Sequence, residues 1–337
     1  MIYYFLLFVI GLILAAMAGY FIRPLLIRWN LCQPISEYVE EHKAKDGTPT
    51  CGGLLFIIPS VIGLIVIDIL LLIKQGVTNQ FFMLNAIGLL ALANGAIGFL
   101  DDWMKKHNHK NEGLKVFQKL FLQLAVSAVF VVISAVTGHL HTAFELIPGV
   151  IVDWGIGYYI ISVILITLFC NAVNLTDGMD GLAGFSSVIL LAFVTYLLAF
   201  QADFGASAYF VILLAGSVAG FLFWNMNPAK LFMGDTGSLF IGAVIGGVSI
   251  LTHRPVLLLL CSFAFLADLL SSALQVLIFK ITKHLSKKKE GWRLFKKAPL
   301  HHTFHLCGWS ETQICFLYAV VTVIAIAGSG ILFHIFP

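Results

Sequence analysis

Residues 171–185 read NAVNLTDGMDGLAGF, between two long apolar segments at about 155–173 and 181–200. Asn171, Asn174, Asp177 and Asp180 recur every third residue, and residues three apart share one face of a helix. The spacing therefore predicts a polar stripe at the mouth of a helix pair. Gly178, Gly181 and Gly184 leave room for a second backbone or a ligand to come close. A helix end that only meets water needs one or two polar groups. Four in register, interleaved with apolar residues, point to a site.

Working outward, the apolar flanks repeat along the chain. Hydrophobic residues make up 60% of the sequence and charged residues 11%, against about 25% charged in soluble domains. A bilayer-spanning helix takes roughly 20 apolar residues. Ten such segments are legible, near 2–22, 52–73, 81–100, 116–137, 155–173, 181–200, 207–224, 237–251, 255–280 and 313–336. Short alternating strands of the barrel type are not seen, so a helical bundle is the remaining way to satisfy the backbone in lipid. The predicted class is an all-α integral membrane protein of ten transmembrane helices. It forms one polytopic domain over 1–337, with loops near 23–51, 101–115, 174–180, 225–236 and 281–312 on one side.

Eighteen of the 20 Lys and Arg residues fall on that side, leaving only Lys74 and Arg254 opposite. Basic loops stay in the cytoplasm. The expectation is a cytoplasmic active-site cleft, with both termini outside. No positive region precedes the first segment, which is read as a span rather than a cleaved signal. The basic face suits anionic headgroups and phosphorylated substrates, although the orientation rule alone accounts for most of its lysines. No feature points to nucleic acid. The six cysteines lack CxxC pairing, and no structural disulfide is expected. The stretch 255–283 is too long for one straight span, at roughly 1.5 Å per residue against a core of about 30 Å. It is expected to bend or extend, with Asp268 to Gln275 facing protein or a lipid-tail groove.

Four further stretches on the basic side carry chemistry. In KDGTPTCGG, Lys45–Gly53, the glycines and proline mark a tight turn into a helix, with Thr48 and Thr50 as caps or donors. In GFLDDWMKKHNHKNEGLKVFQK, Gly98–Lys119, the adjacent Asp101 and Asp102 repel unless a cation lies beside them. Lys105 at helical spacing makes an ion pair one reading, and a divalent-metal or base site the other. In WNMNPAKLFMGDTGS, Trp224–Ser238, Asp235 opens a helix whose free N–H groups suit a phosphate. An aspartate beside an anion suggests a bridging Mg²⁺; a plain helix cap is the alternative. In APLHHTFHLCGWSE, Ala298–Glu311, three histidines lie within five residues. His301 and His305 have the spacing of a zinc pair, but no third ligand is apparent. Here His301 and His302 are read as donors to a substrate's phosphate or ribose. Asp268, inside an apolar segment, reads as lining a helix contact. The chain has no GxxxxGK[ST], GxSxG or HExxH sequence. The inventory fits metal-assisted phosphoryl transfer at a membrane surface.

DD at 101–102, NAVNLTDGMDGLA, NPAKLFMGDTGS and the histidine stretch resemble the polyprenyl-phosphate sugar-1-phosphate transferase superfamily. KDGTPTCGG, NEGLKVFQK and APLHHTFHLCGWSE resemble, within it, the phospho-N-acetylmuramoyl-pentapeptide transferases. The resemblance runs from about Lys45 to Glu311. It implies ten helices and transfer of phospho-MurNAc-pentapeptide from UDP-MurNAc-pentapeptide to undecaprenyl phosphate. UMP would leave, and lipid I would form for peptidoglycan, on the cytoplasmic face of the bacterial inner membrane. It further implies a need for Mg²⁺, held by Asp235, with Asp101 and Asp102 beside the lipid phosphate and Asp101 as candidate base. Lys45, Thr50, Asn174, Asp177, Asp180, Asn225, Phe232 and His302 would line the nucleotide end. A homodimer is among the expectations. The chain departs from the family at Thr303, where a histidine is usual, at His305, where an acid or amide is usual, and at Cys51, where a methionine is usual. Two alternatives are a sister transferase using UDP-GlcNAc or a related sugar for teichoic acid or O-antigen, and a transporter of lipid-linked sugars.

Overall fold

The computed structural model describes residues 1–29, 31, 47–107, 113–285 and 291–335. Lys45 lies outside the described residues. Among these residues twelve α-helices follow one another: α1 (Ile2–Arg28), α2 (Leu54–Gln75), α3 (Asn79–His107), α4 (Val116–Val136), α5 (Ile156–Thr176), α6 (Leu182–Ala199), α7 (Gly205–Asn225), α8 (Gly234–Leu251), α9 (Pro255–Cys261), α10 (Phe263–Leu285), α11 (Leu300–Leu306) and α12 (Glu311–Leu332). All but the short α9 and α11 are long and apolar enough to cross a membrane, giving the ten expected spans among the described residues. The ninth is interrupted, as its length predicted: α9 ends at Cys261 and α10 begins at Phe263.

A β-hairpin went unread in the sequence. Between α4 and α5 an antiparallel hairpin pairs β1 (Ala143–Ile147) with β2 (Val150–Asp153). Its strands are too short for period-two alternation to stand out. Its one strong signal is Pro148-Gly149 at the turn, where Gly149 takes φ +74°.

α8 is the axis of the bundle, buried at every residue from Thr236 to Leu251. It packs against α3 and α5. Glycines let these helices touch by backbone, the usual device where lipid gives apolar side chains no drive to associate. A Cβ on Gly242 would lie 2.5 Å from Cα of Cys170 on α5, and one on Gly98 would strike the carbonyl of Asp235. α7 uses Gly216 and Gly220 in the same way against Phe8 and Leu12 of α1. α1 itself is peripheral and exposes Ile2, Phe5, Ile10, Ile13 and Phe21.

Successive spans alternate in direction, and long-range bonds define the two ends. At one end, Arg23 donates to the Lys230 carbonyl (3.1 Å) and the Thr50 N–H to that of Leu31 (2.8 Å). At the other, Gln80 donates to the Ala202 carbonyl (3.0 Å) and the Glu145 N–H to that of His253 (2.9 Å). The polar stretches singled out above that are described gather at the first end.

Candidate active site

The floor of the site is a backbone junction. The N–H groups of Phe232, Gly52 and Gly53 bond to the carbonyls of Pro49 (2.9 Å), Phe232 (2.8 Å) and Met233 (2.9 Å). This binds the turn before α2 to the turn before α8. Gly234 takes φ +73°, and a Cβ there would sit 2.5 Å from Asp102 and 2.7 Å from the Thr50 hydroxyl. Only glycine fits both that conformation and that space.

Asp102 caps α8. Its carboxylate accepts the N–H groups of Asp235 (3.2 Å) and Thr236 (3.0 Å) and the Thr236 hydroxyl (2.7 Å). The helix N-terminus that the sequence offered to a phosphate is thus filled by an internal carboxylate. The Cys51 thiol, 3.7 Å from Asp102, is pushed up by burial and then by that carboxylate.

Asp235 is the centre. Its Oδ2 accepts from Lys105 (2.8 Å) and Lys119 (2.7 Å), and its Oδ1 from the Asn174 amide (2.6 Å). Asn174 also bonds the Ser238 hydroxyl at 2.9 Å. Asp101 shares Lys105 (2.9 Å) and lies 3.6 Å from Lys119, while its Oδ1 accepts the Leu114 N–H at 2.7 Å. The ion pair and the site readings of Asp101 therefore coincide: its lysine is also that of Asp235. The Asp177 carboxyl is held well above the usual carboxylate range, chiefly by burial and then by repulsion from Asp235 and Asp102.

The predicted stripe divides. α5 carries Asn171 and Asn174 and ends at Thr176, with Asp177 as its C-cap at φ −77°, ψ 50°. Gly181 at φ +78° then turns the chain into α6. Asp180 is consequently carried off the helix face, and its Oδ2 accepts from Asn227 (3.1 Å) and the Ala229 N–H (2.9 Å). Glu311 joins this second cluster by accepting the Asp180 N–H at 3.1 Å. Asn171 bonds Gln123 at 2.9 Å, away from Asp235. Asn225 is buried with both ends of its amide engaged, accepting from the Gly181 N–H (3.0 Å) and donating to the Leu231 carbonyl (3.0 Å). Phe232, half-buried, follows directly on Leu231 in the turn before α8.

The histidine stretch forms α11. His301 is fully buried, and its ring faces that of His302 at 4.3 Å between centroids. The Thr303 hydroxyl donates to the Lys297 carbonyl and accepts the Lys297 N–H, so it ties the entry to the helix where the family usually has a histidine. His305 bonds the Trp309 carbonyl at 3.1 Å. His301 turns to Asp268 instead (2.9 Å), so the two do not form a zinc pair.

Lys119, Asn227 and Glu311 escaped the sequence reading as site residues. Their partners lie 116, 47 and 131 positions away, a distance at which no local pattern helps.

Among the described residues no three carboxylate, imidazole or thiolate groups converge on one point as a preformed metal cage. The charge balance nevertheless fits a divalent cation. Four carboxylates, Asp101, Asp102, Asp177 and Asp235, face two ammonium groups, Lys105 and Lys119. Fully ionised, they leave two negative charges uncompensated. Mg²⁺ characteristically takes one or two carboxylates and completes its shell with water and substrate phosphate.

The family described as glycosyl transferase family 4 matches residues 82–253. A phospho-N-acetylmuramoyl-pentapeptide-transferase of Clostridium kluyveri is 37% identical over 318 residues, 94% of each chain. That of Heliobacterium modesticaldum is 38% identical over 322 residues, again 94% of each. That of Staphylococcus carnosus is 37% identical over 306 residues, 89% of this chain and 90% of its own.

Proposed function

The chain belongs to the phospho-N-acetylmuramoyl-pentapeptide-transferase family, and from that premise we propose that it transfers phospho-MurNAc-pentapeptide from its uridine diphosphate carrier to undecaprenyl phosphate. The products are UMP and lipid I, the membrane-bound precursor of peptidoglycan. The observation that carries this reading is the convergence of Asp101, Asn174 and Asp235 with Lys105 and Lys119 at one end of a membrane bundle. A lipid phosphate is held at headgroup level, where a soluble sugar nucleotide can meet it only at such an end.

In the reaction a phosphate oxygen of the lipid attacks the phosphorus that bears the sugar. The bond from that phosphorus to the bridging oxygen breaks, and UMP leaves with the electron pair. Asp235, with Asn174 and Asp177 beside it, would hold Mg²⁺. When bound, the ion draws charge from the diphosphate and steadies the departing UMP. Lys105 and Lys119, no longer needed to neutralise Asp235, turn their ammonium groups to phosphate oxygens. Asp101 takes the proton from the fraction of lipid phosphate still protonated; most is already ionised near neutral pH. Asp102 keeps α8 in place so that Asp235 enters the site at a fixed height. Thr50, Phe232 and His302 border the nucleotide, and Asp180 and Asn225 hold the turns that carry these groups. Lys45, which precedes Thr50 in the same sequence motif, is assigned there by the family resemblance.

The end that carries the site faces the cytoplasm in this proposal, because the basic loops belong there. Cysteines placed at Gln201 and Gly138 should label from outside the cell, and one at Lys115 should not.

The deciding assay is UMP release from UDP-MurNAc-pentapeptide and undecaprenyl phosphate in the presence of Mg²⁺. Turnover that disappears on chelation is expected. Release only from UDP-GlcNAc would move the protein to a sister reaction. Lipid-linked sugar flux without UMP release would make it a transporter.

A further inference from the structure

Asp268 stands in an apolar helix, fully buried, and nothing in the transfer chemistry above calls for it. A buried carboxylate is costly unless its hydrogen-bonding capacity is filled, and here three donors converge on it. Oδ1 accepts the His301 backbone N–H (3.2 Å) and the Tyr318 hydroxyl (2.7 Å), and Oδ2 faces the His301 ring at Nδ1 (2.9 Å). α10, α11 and α12 thus meet on one carboxylate. At the far side of the ring, His301 Nε2 is buried without a partner. It is aimed at Gly178, where a Cβ would lie 2.5 Å away. Gly178 is in the turn between Asp177 and Asp180.

We propose that Asp268, braced by Tyr318, is a positioning residue that fixes the tautomer of His301. Resting on the function proposed above, it thereby orders the nucleotide end of the cleft. A carboxylate accepts only, so Nδ1 carries the hydrogen and neutral His301 presents a bare Nε2 lone pair. The Asp177–Gly181 turn is therefore met by an acceptor. The group it receives is a hydrogen-bond donor, either an N–H of the turn itself or a hydroxyl or N–H of the sugar nucleotide.

Asp268→Asn tests the tautomer by geometry. The backbone N–H of His301 cannot reverse its polarity, so the amide oxygen must stay on that side and the NH₂ must face Nδ1. Nδ1 then becomes the acceptor and Nε2 the donor, the reversal that amide replacement produces in other Asp–His pairs. The experiment is ¹⁵N spectroscopy of histidine-labelled protein in detergent, with His301 assigned by its loss in H301A. It is paired with UMP-release kinetics in which each substrate is varied separately.

Wild type should carry its hydrogen on Nδ1 of His301, and Asp268→Asn should move it to Nε2. The KM for the sugar nucleotide should rise on the order of tenfold, the scale of one misdirected hydrogen bond. The KM for the lipid phosphate should stay within about twofold, because the turn belongs to the nucleotide end. Asp268→Glu should restore the tautomer, and Tyr318→Phe should leave it in place with a smaller rise in KM. If the nucleotide KM of Asp268→Asn rises while the melting temperature of the ligand-free protein is unchanged, the donor belongs to the substrate. If it rises together with a lowered melting temperature of the ligand-free protein, the donor belongs to the turn. Wild-type His301 protonated on Nε2, or equal rises in both KM values, would sink the proposal. The wild-type spectrum decides even if Asp268→Asn does not fold. A wild type with the Nδ1–H tautomer and no UMP release would overturn the function and leave the tautomer assignment standing.

Discussion

The two ends of the bundle are built from the same helices by opposite means. At the site end, Asp101, Asp235, Lys105 and Lys119 are drawn into protein and share one network of charge. At the far end, one ion pair among the described residues, Arg254 with Glu145 at 3.0 Å, ties the hairpin to the α8–α9 turn. Aromatic packing joins the hydrogen bonds already described: Phe144 stacks on Tyr158 at 4.9 Å, and Phe82 on His139 at 3.8 Å. Charge withdrawn from water costs stability unless it is paired, and among the described residues the far end closes with a single, partly exposed pair. The contrast marks the first end, with its shared network of charge, as the one that carries the candidate site.

The largest expected effect follows from removing charge at the centre. Asp235→Asn should lower UMP release by about a thousandfold, the scale seen when a group that stabilises developing charge is lost. Its unfolding temperature should stay near wild type, because Asn retains the bond to Asn174. Turnover within tenfold of wild type would place the chemistry elsewhere.

Asp177 sharpens the comparison through pH. Its proton is retained above the usual carboxylate range, so a divalent cation arriving beside it must displace that proton. Mg²⁺ affinity should therefore rise with pH until the carboxyl of the free protein has ionised, then level off. Calorimetry in two buffers of different ionisation heat should detect the released proton, and Asp177→Asn should abolish the release. Equal heats in both buffers for wild type would contradict this.

At the far end the effects should be small. Glu145→Gln should cost at most about 1 kcal/mol, the ceiling for a partly exposed pair, and leave turnover within twofold. A larger loss of activity would show that the two ends are coupled. His253 should give the smallest signal. Burial and then His141 hold its pKa below the ordinary value, so the unfolded chain binds the proton more readily. Stability should fall slightly as pH drops below about 6.5. Melting curves of wild type and His253→Gln at pH 7.5 and 5.5 would expose the difference.

How much of this was legible in advance depended on the range of each interaction. The ten spans were readable because a run of apolar residues carries its own evidence, and the break near Ser262 followed from length alone. α3 runs on to His107 rather than stopping near 100, because Asp102 finds partners on α8 and Asp101 pairs with Lys105 one turn on, so neither need leave the helix. The stripe Asn171–Asp180 was half right. Periodicity placed the two asparagines, but the glycines that seemed only to make room also end the helix and send Asp180 to Asn227. Asp268 was legible as an anomaly and not as a partner of His301, 33 residues on. Chemistry assembled across the bundle leaves residue types in the sequence but not their pairings.

α8 has a mechanical consequence. It places Asp235 at its first turn and is buried from Thr236 to Leu251, whereas α1 presents much of its surface outward. A bilayer that thins or thickens acts on spans through the side chains it wets, chiefly by tilting them. The outer helices take up that adjustment, and the pillar under the site has no lipid-facing surface for the membrane to pull on. In the proposed function the height of Asp235 is thus referenced to the protein rather than to the fluctuating sheet around it, even though the proposed lipid substrate is dissolved in that sheet.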